Sequence, residues 1–281
     1  MLCKVMRHFH RFVHRDANFR ICCTHVEIIR REIRRQRRVL EQYIARHPDF
    51  ASSLEPLQLL AGAPEVARRM QAASAAVGVG PMAAVAGAMA QMAVEAAMAA
   101  GAEEAVVENG GDVVLLSPQP VTVALYAGDN PLSGKLAFRF GPQTAPVSIC
   151  SSSGRMGHSL SLGRCDLATV VAPDATLADA AATLACNLVR EPEDIPGVLE
   201  RIRSLADVSG LLLIKADKVG MAGRLPELIR AGDPRFEEKI TRDRRSGPLP
   251  SHHDIVTGGF VSFRSVTGNI GAFEPRNDSF G

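Results

Sequence analysis

Between Met82 and Ala100 runs a long apolar stretch built mostly of alanine and methionine, and it limits what this chain can become. A helix that is apolar around its whole circumference has to be covered on all sides. Gln91 and Glu95 lie inside the stretch, which argues against a membrane span and for a helix buried in a protein core. Pro81 is well placed as its first residue, and Gly78-Val79-Gly80 breaks the helix before it. The chain has no tryptophan and only 5% aromatic residues, so the remaining core must also come from Ala, Val, Leu, Ile and Met.

A length of 281 residues allows one large domain or two small ones with a substantial core. We expect a single α+β domain over residues 1–240, with N-terminal strands and an Arg-rich helix packed on it. A Gly/Pro/Arg-rich tail, partly flexible, is expected over 241–281, with Phe260, Val261 and Phe263 able to dock as an edge strand. Hydrophobic content of 46% and charge of 22% describe an ordinary globular chain. The net charge of +2 sets up no field for nucleic acid. Six cysteines without a C-x-x-C pair give no disulfide framework and no structural zinc site. Cys22 and Cys23 should lie on opposite faces of one strand. Reduced thiols and the lack of an apolar leader-like run lead us to expect a cytoplasmic protein.

Two short strands are expected over residues 5–23. Thr24-His25-Val26-Glu27 then has the Thr-x-x-Glu form of a capping box. The helix it opens should run to about Arg46, with Ile29, Ile33, Leu40 and Ile44 as its apolar stripe. A second helix is read over Glu65 to Val77. Strands follow at about 104–108, 113–117, 121–127, 135–140, 147–151 and 166–172, then a helix carrying Asp179, a helix at about 195–205 and a strand at Leu211–Ile214. Runs of strands between long helices, without strict alternation, predict largely antiparallel sheets covered by helices.

Asp179 and Thr183 stand four apart on a predicted helix, which puts a carboxylate and a hydroxyl on one face. Hard oxygen ligands of this kind suit magnesium, which often takes only one or two protein carboxylates. The plain alternative is structural, with Asp near the first turn and Thr bonding back to a carbonyl. Asn109-Gly110-Gly111-Asp112 reads as a hairpin turn, and equally as a place where the backbone approaches a ligand. Gly78 and Gly80 before a helix offer a phosphate cradle or a simple helix-to-helix turn. Ser151-Ser152-Ser153-Gly154 follows a strand and can present hydroxyls and amides to phosphate. His158 is a candidate general base or an ordinary loop histidine. Six arginines between Arg30 and Arg38 could dock an acidic partner or simply form the wet face of an amphipathic helix. The His252-His253-Asp254 triplet is too isolated to make a metal site.

Three of these segments resemble the ApbE family, whose members are FAD-dependent protein flavin (FMN) transferases using magnesium. They are Gly110-Gly111-Asp112 after a strand, the Ser152-Ser153-Gly154 turn, and Ala178-Asp179-Ala180-Ala181-Ala182-Thr183 on a helix. The resemblance spans roughly residues 78–190 and implies that Asp179 and Thr183 bind magnesium, helped by a backbone carbonyl near Ala83-Ala84-Val85. It implies further that Gly78, Gly80, Asn109, Gly110, Gly111, Ser152, Ser153 and Gly154 line a site for FAD or a related pyrophosphate ligand, with Asp112 and His158 as the catalytic candidates. The chain departs from the family at Ala86-Gly87, where a Lys-Gly pair is usual, and in a shortened loop from Gly157 to Asp166.

Over its whole length the chain is similar to a prokaryotic ApbE-like family without a settled activity, through His47-Pro48-Asp49-Phe50, Ser53-Leu54-Glu55-Pro56 and the stretch from Ser153-Gly154 to His158-Ser159. The resemblance implies flavinyl or nucleotidyl transfer, or else a non-catalytic accessory role in sulfur or methionine metabolism with a partner docked at Arg30–Arg38. Self-association as a homodimer is open; a membrane or a nucleic-acid partner is not expected.

Overall fold

The structure, a computed structural model, describes residues 7–154, 164–231 and 272–273. The chain opens with a hairpin, β1 (His10–His14) and β2 (Ala17–Cys23), followed by α1 (Val26–Arg46), the short α2 (Asp49–Ser52) and α3 (Glu65–Val77). A 3₁₀ turn at Pro81–Ala84 leads into α4 (Val85–Ala99). Then come β3 (Ala105–Asn109), β4 (Asp112–Leu116), β5 (Val121–Ala124), β6 (Leu136–Phe140), β7 (Val147–Ser152) and β8 (Leu167–Ala172). The chain continues through α5 (Ala175–Leu188), α6 (Ile195–Arg203), β9 (Gly210–Lys215), β10 (Lys218–Gly223), β11 (Glu227–Arg230) and β12 (Ala272–Phe273).

Among the described residues nine strands form one antiparallel sheet in the order β1-β2-β3-β4-β7-β8-β9-β10-β12, and three form a second sheet, β11-β6-β5. The helices cover one face of the large sheet and the small sheet covers the other. Strand side chains alternate between faces, so two cores result. Val107, Val114, Cys150 and Val170 point to the helices, whereas Val106, Val113, Leu115, Ile149 and Val171 meet Val121, Phe138 and Phe140 of the small sheet. The adjacent cysteines follow this rule: Cys22 lies in the inter-sheet core and Cys23 packs against the helix-side core.

The apolar stretch is indeed a core helix. Pro81–Ala99 is long and apolar enough to cross a membrane, yet α4 lies against α1, α5 and β3, and Ala88, Ala90, Ala93, Val94 and Ala97 are buried. In α1 the inward stripe is Ile29, Ile33, Gln36, Leu40 and Tyr43. Ile44, half-buried, packs against the same core, and Tyr43 joins the stripe because its ring packs on Phe50 and its hydroxyl accepts the Leu60 N–H at 3.0 Å.

One local expectation needs correction, and two strands add to those read from the sequence. The capping box does not form: α1 starts at Val26, its N-cap is His25, and the Thr24 hydroxyl bonds the His25 ring instead. Strands β10 and β11 were not foreseen. Their β9–β10 turn places Ala216 at φ 53°, a conformation normally signalled by Gly or Asn. The strand that pairs with β10 from the C-terminal region is Ala272–Phe273; Phe260, Val261 and Phe263 lie outside the described residues, as does the His252-His253-Asp254 triplet.

Phe138 is fully buried between the two sheets. Phe138→Ala is expected to destabilise the protein by about 3–5 kcal/mol in urea unfolding, the range for removing a buried aromatic ring. A change within experimental error would mean that the small sheet is not packed on the large one.

Candidate functional site

The β3–β4 hairpin turns on two residues, Gly110 at φ 65° and Gly111 at φ 112°, with Asn109 and Asp112 as its closing pair. A two-residue turn of this hand needs positive φ at both central positions, which is why both are glycine. Closing-pair residues share a face, and here it is the helix-covered one. Asn109 donates from Nδ2 to the Ala86 carbonyl at 3.2 Å, which ties the turn to the start of α4. Asp112 Oδ1 accepts the Ser151 N–H from β7 at 3.2 Å.

Asp179 approaches from the helix layer. Its Oδ2 accepts the Gly87 N–H at 2.9 Å, and the Ala86 N–H supports the same carboxylate. The first amides of a helix have no intrahelical carbonyl partner and carry the positive end of its dipole, so the start of α4 suits an anion. The approach is close. A Cβ on Gly87 would collide with the Ala175 carbonyl and come within 2.9 Å of the Asp179 Cβ, so glycine is required where the departure from Lys-Gly was noted. Thr183, also buried, is on the same face of α5 one turn later.

Burial raises both carboxyls, and the charge of Asp112 acts on Asp179. Burial is the main cause that raises the Asp112 carboxyl to about 7 from 3.8; the Cys150 thiol and the Ser151 amide oppose the rise and Glu108 adds to it. Asp179 is raised well above the usual carboxylate range, first by burial and then by the charge of Asp112. Cys150 on β7 is within reach of Asp112 and has its Sγ 3.5 Å from the Ala175 carbonyl. Burial and the neighbouring carboxylates push this thiol up, so it is a poor nucleophile. No lysine or arginine among the described residues pairs with either carboxylate.

The other sequence candidates have local partners of their own. Ser152 ends β7 opposite Ala168, Ser153 is buried beside it, and the Gly154 N–H bonds the Cys165 carbonyl at 2.9 Å. His158 lies outside the described residues. Gly78 caps α3 in the left-handed conformation, its N–H bonding Ser74 at 2.8 Å, and Gly80 is backed by the Ser53 carbonyl, where a Cβ would collide. Both glycines therefore serve the helix-to-helix turn. Asp166 is a bracket for the β9–β10 turn, accepting from Asn130 at 2.9 Å and the Ala216 N–H at 2.8 Å. Of the arginines, Arg30, Arg35 and Arg37 pair with Glu27, Glu32 and Glu41, while Arg34 lies over the Phe12 ring at 4.9 Å. Cys150 and Gln91 carry no motif and gain their roles only through tertiary contacts.

The donor chemistry fits a hard cation. Among the described residues no group of three or more His, Cys, Asp and Glu side chains forms a cage. A cation here would rest on one or two carboxylates, a hydroxyl, backbone carbonyl oxygen and water, which matches magnesium rather than zinc.

The pH dependence follows from the raised carboxyls. Between the unfolded value of 3.8 and about 7, the folded protein holds a proton on Asp112 that the unfolded chain has released. Stability of the metal-free protein therefore falls as pH rises through that window. Urea unfolding at pH 5 and pH 8 should show a smaller fall for Asp112→Asn than for the wild type; an equal fall in both would contradict the assignment.

Residues 7–211 match the protein family described as AbpE bacteria. A UPF0280 protein of Methanocella arvoryzae is 42% identical over 240 residues, covering 82% of this chain and 97% of that protein. Another, from Methanospirillum hungatei, is 42% identical over 199 residues, covering 71% and 80%. Among solved structures, the flavin transferase ApbE from Vibrio cholerae aligns with a TM-score of 0.48 at 12% identity, over 83% of this chain and 99% of that one, a likeness too loose to bear on function. With its sheets, helices and sequence relatives accounted for, this chain belongs to the AbpE bacteria family and stands among the UPF0280 proteins.

Proposed function

We propose that this protein binds a flavin nucleotide, FAD or a close pyrophosphate relative, together with magnesium, and that flavinyl or nucleotidyl transfer is the reaction such a site serves. One observation carries the reading: Asp112 and Asp179 are both buried, the charge of Asp112 adds to the cost of ionising Asp179, and no basic side chain among the described residues compensates them. Uncompensated buried carboxylates are expensive unless a cation joins them. Asp179 and Thr183 would hold magnesium, with a carbonyl from the Ala83–Val85 turn. When bound, the metal supplies charge neutralisation for a pyrophosphate.

The chain's own groups have separate tasks. Gly110 and Gly111 lack side chains, so a ligand can meet the hairpin backbone directly. Asn109, Ser152, Ser153 and Gly154 would offer amide and hydroxyl contacts to its polar parts, and Gly78 and Gly80 would line the pyrophosphate side from the turn before α4. Asp112, poised near neutral pH, can hold or release a proton in the range where general acid–base groups work best. His158 is the second candidate for proton transfer. The flavin part of the reading rests on the order of the Gly-Gly-Asp, Ser-Ser-Gly and Ala-Asp-Ala-x-x-Thr motifs. The accessory-protein reading has less support, because three of the six arginines are already paired within α1.

The test is to titrate FAD into metal-stripped protein with and without magnesium, following flavin fluorescence and the thermal midpoint. Binding should depend on magnesium and be lost in Asp179→Ala. Normal binding of ligand and metal by that variant would overturn the proposal.

A further inference from the structure

One turn after Gly87, α4 carries a second polar group directed at α5. Gln91 is buried, and its Oε1 accepts the N–H of Ala175, the first residue of α5, at 3.2 Å. The Gly87 N–H meets Asp179 Oδ2 at 2.9 Å. Moving four residues forward on α4 thus moves four residues back on α5. The two helices run antiparallel, and the bonds clamp them at points one turn apart.

Both ends of the Gln91 amide are committed. Nε2 donates to Glu95 Oε1 at 3.0 Å, and that carboxylate is held by Arg69 at 2.9 and 2.7 Å. Arg69 in turn reaches Glu65 at 3.0 Å. A carboxylate only accepts, so it takes the NH₂ end of the amide and leaves the carbonyl end for Ala175. The N–H of Ala175 is one of the orphan amides of a helix start. Asp174 caps Thr176 at 2.7 Å, and Gln91 serves Ala175. A relay from α3 through α4 therefore ends on the first turn of the helix that bears Asp179 and Thr183.

We propose that Gln91 is a positioning residue, fixing the register of α5 against α4 and so the placement of the Asp179 carboxylate. The proposal rests on the reading of Asp179 as a cation ligand. Groups that orient a ligand from behind commonly change metal affinity without touching the metal.

The test uses full-length protein, Mn²⁺ alone as the probe, and hydrogen exchange of the Gly87 amide as a metal-free readout. Gln91→Leu should speed Gly87 exchange about tenfold and weaken Mn²⁺ binding about 10–100-fold, whereas the paired exchange Gln91→Glu with Glu95→Gln, which keeps the net charge and an acceptor for the Ala175 N–H while reversing the bond between the two side chains, should keep Gly87 exchange within about threefold of wild type. Should Gln91→Leu not fold, Gln91→Met, which keeps length but not the acceptor, is read in the same way. Faster exchange at Ala175 with Gly87 unchanged would show a purely local bond and overturn the proposal. Failure of the paired variant to restore Gly87 protection would overturn it too. Wild-type protein that takes up no Mn²⁺ would instead defeat the cation reading, and the exchange data would still decide the role of Gln91.

Discussion

The meeting of the α4 backbone at Gly87 with the Asp179 carboxylate is the contact on which the candidate site depends. It requires two helices to touch with almost no side chain between them, and a Cβ at Gly87 would prevent it. Around it the sheet is drawn in. Asn109 holds the β3–β4 turn to Ala86, and Cys150 of β7 stands 3.5 Å from the carbonyl of Ala175. The result is that residues from β4, β7, α4 and α5 are set in place by backbone contacts rather than by mobile loops. Sites supported in this way hold their geometry better than sites hung on loops alone.

That arrangement has an electrostatic cost. Asp112 and Asp179 are removed from water, and Asp179 is raised in part by Asp112 itself. Helix amides stabilise one carboxylate oxygen of Asp179, but a hydrogen bond does not cancel a charge. A fold selected for stability alone would place Asn or Leu there. Local conflicts of this kind in an otherwise consistent fold mark places where function has overridden stability. The alanine-rich composition has its counterpart here as well, since small residues along α4 and α5 let the helices close over the acidic pair.

Much of the fold could be read ahead of the structure because its signals were periodic. The stripe of Ile29, Ile33 and Leu40, the α3 span and the all-round apolar α4 each demanded one kind of burial. The misses have physical causes. Thr24 had the right spacing for a capping box, but its hydroxyl found the neighbouring His25 ring. Strand β10 contains two glycines and follows a turn with Ala216 at positive φ, so neither strand nor turn left a normal signature. In the site, Asp112, Asn109, Asp179 and Thr183 could be singled out from motif order and helical spacing. Gln91 and Cys150 could not, because what makes them matter is which backbone or carboxylate of another element they face. Gly78 and Gly80 also have structural reasons to be glycine, a left-handed helix cap and the close Ser53 carbonyl.

The central claim is that the buried acidic pair serves a divalent cation that anchors a pyrophosphate. The most direct measurement is a crystal structure of the protein with manganese and FAD, with diffraction recorded at the manganese absorption edge. The account predicts one strong anomalous peak within ligand distance of the Asp179 carboxylate and the Thr183 hydroxyl, with flavin density beside the Asn109–Asp112 turn. Manganese bound elsewhere, or flavin bound with no metal at Asp179, would contradict it.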